Sequence, residues 1–144
     1  MTDAPSRAIR LFGTEELVAP ARLLRAGPLT VELENGNLRY VRFDGVEMLR
    51  AISFIVRDKN WATYNPQISG LTISEGDDGF QVSYEATASD ADQTFRYSAL
   101  ITGGPDGTLR FEGRGAAATD FLTNRTGFVI LHPIVGVAGQ PARV

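Results

Sequence analysis

Leu29-Thr30-Val31-Glu32-Leu33-Glu34-Asn35-Gly36-Asn37-Leu38-Arg39-Tyr40-Val41-Arg42-Phe43-Asp44-Gly45-Val46-Glu47-Met48-Leu49-Arg50 carries two tight-turn dipeptides between runs of strand-forming residues. Asn-Gly and Asp-Gly tolerate positive φ at both central positions, as a type I′ turn requires, so each is read as the tip of an antiparallel hairpin. Around Asn35-Gly36, pairing sets Leu33 opposite Leu38, Glu32 opposite Arg39 and Val31 opposite Tyr40. Around Asp44-Gly45 it sets Phe43 opposite Val46, Arg42 opposite Glu47 and Val41 opposite Met48. Opposed residues share a face, so Leu29, Val31, Leu33, Leu38, Tyr40 and Leu49 form a core side with Arg42 and Glu47 at its edge. The other side mixes Thr30, Glu32, Arg39 and Arg50 with Val41, Phe43, Val46 and Met48. These four apolar residues are more than a solvated face carries. The expectation is that another sheet, a homo-oligomeric partner or a neighbouring domain covers them.

Working outward, Ile52-Ser53-Phe54-Ile55-Val56 and Phe128-Val129-Ile130-Leu131 lack alternation and read as central strands covered on both faces. Between them the pattern changes to strict alternation. Leu71 and Ile73, then Phe80, Val82, Tyr84 and Ala86, then Phe95, Tyr97, Ala99 and Ile101, then Leu109 and Phe111 alternate with polar residues, each run closed by a polar or glycine-rich turn. One dry and one wet face describe an outer meander. Residues 1–8 read as a flexible N-terminus, residues 9–13 as a short strand, and Thr14-Glu15-Glu16-Leu17 as one helical turn at most, stopped by Pro20. The fold class predicted is all-β, an antiparallel β-sandwich of about ten short strands over residues 9–144. The tail runs out as if starting another strand, which suggests the N-terminal part of a longer protein.

Composition narrows the function classes. The chain has 144 residues, one domain by length, with 14 basic against 17 acidic residues and a net charge of -3. That balance offers no footprint for nucleic acid or an anionic membrane surface. No run approaches the roughly 20 apolar residues of a spanning helix, and the first ten residues lack a signal-peptide core, so the expected location is cytoplasmic. With no cysteine and one histidine, the chain holds no thiolate or histidine-cluster metal site of its own, and no cofactor is implied.

Three groups of residues could carry chemistry. Trp61 with Tyr64, beside Arg57 and Asp58, has the composition of a carbohydrate-stacking platform, because aromatic faces suit sugar C–H surfaces while polar neighbours take hydroxyls. More often such a loop packs its tryptophan over a sheet edge or into a neighbouring domain. Asn124 and Arg125 offer an amide and a planar guanidinium fork for a carboxylate or sugar hydroxyls, or alternatively pin a turn by binding carbonyls. His132 is the candidate general acid or base, with a strand-end histidine satisfied by backbone as the alternative, since no triad, metal spacing or G-x-S-x-G turn accompanies it. Glu47, Asp58 and Glu75 are not brought together by any pattern, and Gly103-Gly104-Pro105-Asp106-Gly107 is a hairpin turn, not a phosphate loop.

Several separated segments together carry a family resemblance. They are Pro20-Ala21-Arg22-Leu23-Leu24-Arg25-Ala26-Gly27-Pro28, Glu34-Asn35-Gly36-Asn37-Leu38-Arg39-Tyr40 with Gly45-Val46-Glu47, Val56-Arg57-Asp58 with Trp61 and Tyr64, and Thr119-Asp120-Phe121-Leu122-Thr123-Asn124-Arg125-Thr126-Gly127-Phe128 with Leu131-His132-Pro133. This set resembles the N-terminal region of the bacterial D-apionate lactonase family. The resemblance implies an N-terminal β-domain preceding a glycosidase-like barrel and a C-terminal β-domain. For the whole protein it implies a lactonase, a carboxylic ester hydrolase in the catabolism of a branched-chain sugar acid. It transfers no catalytic residue to this part. A looser resemblance, in strand pattern and the Asn-Gly-x-Leu-Arg hairpin, is to the galactose-mutarotase supersandwich, whose catalytic glutamate and two histidines have no counterpart set here.

The leading expectation is therefore a domain accessory to an active site mostly elsewhere. In this reading the isolated chain is not catalytic, and Arg57, Asp58, Trp61, Tyr64, Asn124 and Arg125 are the candidates to touch a sugar acid or lactone. The alternatives are a non-catalytic sugar-acid binding module and, third, a small independent lactonase.

Overall fold

The computed structural model describes residues 4–18 and 20–144. Among the described residues one short helix, α1 (Arg7–Phe12), precedes nine strands: β1 (Arg22–Ala26), β2 (Leu29–Glu34), β3 (Asn37–Phe43), β4 (Val46–Arg57), β5 (Gln67–Gly76), β6 (Gly79–Ser89), β7 (Thr94–Gly103), β8 (Leu109–Ala117) and β9 (Arg125–Leu131). They form two antiparallel sheets, ordered β1-β2-β3-β4-β9 and β5-β6-β7-β8. This is the predicted all-β sandwich, and the second sheet is the predicted meander.

The core lies between the sheets because the inner residues of the middle strands alternate with polar ones. Leu24, Leu38 and Val56 from one side and Val82, Ala88 and Ile101 from the other are fully buried in a single cluster. The Tyr84 hydroxyl crosses the gap and donates to the Gly36 carbonyl at 2.8 Å, tying the first hairpin tip to the opposite sheet. Burial pushes the Tyr84 phenol well above its usual range, so it stays a donor. An aromatic chain continues this layer: the Phe54 ring lies 4.5 Å from Tyr97 and 5.3 Å from Phe128.

The hairpins obey the predicted register near their turns and depart from it farther out. Leu33 pairs with Leu38 and Glu32 with Arg39, but the ladder then shifts, and Thr30 meets Arg42 while Leu29 meets Phe43. Tyr40 takes a φ of 48° at this bulge. The extra residue reverses the alternation, so Val41 enters the core in place of Tyr40. In the second hairpin Phe43 pairs with Val46 and Arg42 with Glu47, but Val41 pairs with Leu49, not Met48. Val41 therefore leaves the mixed face predicted for it, and so does Phe43, which pairs with buried Leu29 and lies beside Gly107 in the turn between β7 and β8, although Phe43, Val46 and Met48 are all exposed on this chain.

Three further expectations are corrected. Residues 9–13 do not form a strand: α1 starts inside the segment expected to be loose, its first turn capped by the Ser6 hydroxyl and its end closed by Gly13 at φ 78°. Arg7 then pins the helix to the outer face of the first sheet through Glu32 at 2.7 Å and Glu34 at 3.1 Å. Leu71 is exposed beside a ladder shift between Ser69 and Thr72, lining an open cleft with Leu33, Ile68 and Ile73. Finally, Phe128-Val129-Ile130-Leu131 belongs to an edge strand, paired among the described residues with β4 alone.

Candidate functional site

At the end of β4 the chain makes a compact loop whose geometry is set by Asp58. Its carboxylate accepts the amides of Asn60 at 2.7 Å and Ala62 at 3.0 Å, and its own amide donates to the Ala62 carbonyl at 2.9 Å. A short aspartate bonding its own downstream backbone is the usual device for such a turn. Asp58 thus positions the loop, and Trp61 is carried at its tip with a φ of 71° and 53% of its surface exposed.

The loop leading into β9 locks against it. The Thr123 hydroxyl donates to the Arg57 carbonyl at 2.5 Å, the Asn124 amide nitrogen donates to the Asp58 carbonyl at 3.2 Å, and the Asn124 side chain donates to the Lys59 carbonyl. The Asn124 side-chain amide is thereby engaged as a turn pin. Arg57 and Arg125 are direct partners across β4 and β9. Their guanidinium carbons lie 5.8 and 5.6 Å from the Trp61 ring centroid, so two cations lie close to one indole. Arg57 also donates to the Trp61 carbonyl at 3.2 Å, while its buried Nε has no partner among the described residues. Neither arginine is ion-paired with a carboxylate among the described residues.

A third loop, between β6 and β7, completes this end. The Tyr64 hydroxyl donates to Asp90 and accepts from the Gln93 amide at 2.8 Å. Gln93 in turn bonds the Leu122 carbonyl at 3.1 Å and its amide at 2.9 Å. The Asp90 carboxyl is held below the usual carboxylate range, first by the Tyr64 hydroxyl and then by the amides of Asp92 and Gln93. Tyr64 is raised, by burial first and then by Asp90. Beside this network lies a polar cleft of about 340 Å³ lined by Asp58, Lys59, Asn60, Asp90, Asp92, Gln93 and Leu122.

All six residues expected to bind a ligand therefore sit at one pole of the sandwich, although they come from separate parts of the chain. The sequence missed Lys59, Asn60, Asp92 and Gln93. Ser89-Asp90-Ala91-Asp92 was legible only as a polar loop, and nothing in it signals the β4–β5 loop as its neighbour. His132 is not part of this pole. It follows the far end of the seven-residue β9, about 20 Å from Arg125 at the strand rise. It is exposed there, a strand's length from the polar turn.

Chemically, the pole offers an exposed aromatic face, two guanidiniums without carboxylate partners among the described residues and a polar cleft whose walls are held by hydrogen bonds. Such a combination suits a polyhydroxylated ligand bearing an acyl or carboxylate group. No group of three or more metal-ligating side chains occurs among the described residues. No helix among them is long and apolar enough to cross a membrane.

Comparison with known proteins adds identity to this geometry. Residues 9–144 match a family model described as D-apionate lactonase, N-terminal domain. A curated D-apionate lactonase from Brucella anthropi is 50% identical over 135 residues, covering 93% of this chain and 22% of the relative. The chain thus spans about a fifth of that relative's length. No solved structure matches it.

Proposed function

Because the chain belongs to the D-apionate lactonase N-terminal domain family, we propose that it is the accessory β-sandwich of a larger hydrolase that opens a sugar-acid lactone. In this reading the ester bond is broken mostly by residues in the rest of the polypeptide. The observation that carries it is the 50% identity over nearly the whole chain to a lactonase of which the chain spans only 22%. The pole bearing Trp61 supports a part in holding the substrate: the indole would receive the C–H face of the sugar ring, and Arg125 would bind the lactone carbonyl or the carboxylate released. The exposed Phe43, Val46 and Met48 support contact with a neighbouring domain.

The test is hydrolysis by the full-length protein, followed as acid release from apionolactone and from five-membered lactones of other sugar acids. Saturable turnover that prefers the branched-chain lactone is expected. Failure on every sugar lactone, with the protein folded, would refute the assignment.

A further inference from the structure

The composition of β9 and its place in the fold disagree. Phe128-Val129-Ile130-Leu131 is apolar on both faces, the pattern of a strand covered above and below, yet among the described residues β9 is hydrogen-bonded on one side only, to β4, and has a free edge. Its register shows what is uncovered. Phe128 pairs with Phe54 and Ile130 with Ile52, and both partners are buried between the sheets. Phe128 and Ile130 therefore face inward, but they remain 45% and 51% exposed. Although Phe128 touches Phe111 of β8 with ring centroids 5.1 Å apart, no described strand closes the gap on this side. Leu131, on the other face, is 50% exposed. Exposed edge strands of soluble proteins are ordinarily guarded by a lysine, a proline or a bulge. From Thr126 to Leu131 there is no charge and no proline, and the ladder runs without a register shift.

We propose that β9 is an interior strand of the full-length protein. A strand from the part of the same polypeptide that lies outside this chain pairs with its free edge and closes the sandwich over Phe128 and Ile130. This rests on the reading of the chain as one domain of a longer lactonase. The occupant follows from two observations. The matched relative has more than three-quarters of its length outside the matched region, so ample chain exists to supply a strand. A tethered segment also meets the edge at an effective concentration on the order of millimolar, far above that of a second copy in solution. The contact is β-augmentation: backbone pairing gives the affinity, and an inward-facing apolar side chain on the added strand fills the space beside Ile130.

Hydrogen exchange on the full-length protein tests this directly. The β9 amides that point away from β4 are expected to exchange at least about a hundredfold slower than unpaired amides, at a rate independent of protein concentration. Exchange at loop rates while β4 stays protected would overturn the proposal. Protection that vanishes on dilution to a monomer would overturn it in favour of a second copy. Ile130→Asp is expected to release the protection of β9 while β6 and β7 remain protected; unchanged protection in this variant would also contradict the proposal. Lactone hydrolysis by the same preparation reports separately on the function. A protected β9 in a protein inactive on every lactone would leave the added strand standing and remove the lactonase reading.

Discussion

Gly36 and Trp61 are the two positions where a single side chain decides most. Gly36 takes a φ of 75°, and a methyl group there would sit 2.7 Å from the Tyr84 ring. Gly36→Ala therefore meets both backbone strain and overpacking in the layer that ties the two sheets. A loss of about 2–3 kcal/mol is expected, read as a fall in melting temperature of roughly 5–10 °C for a domain of this size. An unchanged melting temperature would show that the hairpin tip is not held as described. Trp61 has the opposite character, exposed and without a core role. If the full-length protein opens lactones as proposed, Trp61→Ala is expected to raise KM about tenfold with kcat nearly unchanged, because a stacking contact binds substrate and transition state alike. Arg125→Lys should reproduce part of that rise, since an ammonium keeps the charge but loses the planar fork. Equal loss of kcat and kcat/KM in Trp61→Ala would place the residue in the reaction itself, contrary to a purely binding role.

At the scale of elements, turns were legible and bulges were not. Asn35-Gly36 and Asp44-Gly45 specify their tips because few residues accept positive φ, and the two pairs nearest each turn hold. Tyr40 also has positive φ, but no residue preference announces it, so strict alternation carried the prediction one residue too far and exchanged Tyr40 for Val41. Helix α1 could have been found, since Ser6 and Gly13 mark its ends, but its six residues give too little periodicity. The loop pole was legible as a list of residues and not as a place, because the pairing of Arg57 with Arg125 joins strands far apart in sequence.

The loops at this pole also give a pH signature. The Asp90 carboxyl lies below its ordinary value of 3.8, so its contribution is present above that value and is lost as pH falls through the folded one. Loop protection around residues 90–93 and 121–124 is therefore expected to weaken below about pH 4, with Tyr64→Phe flattening the dependence. A variant with the same acid profile as the parent would remove Tyr64 as the dominant cause.

For the whole molecule, one pole of the sandwich presents a set of polar and aromatic groups while His132 sits at the other end of β9. Lactone opening requires an activated water or nucleophile, a base with an orienting partner and donors for the oxyanion. This separation makes a complete set built from His132, Asn124 and Arg125 geometrically unavailable. The chain belongs to a lactonase N-terminal domain family and spans about a fifth of the relative. The most direct measurement is acid release from apionolactone by residues 1–144 alone, with a cooperative thermal melt confirming that the fragment is folded, run beside the full-length protein. The account predicts turnover by the full-length protein and none above background by the folded fragment. Saturable turnover by the fragment, abolished in His132→Ala, would contradict it.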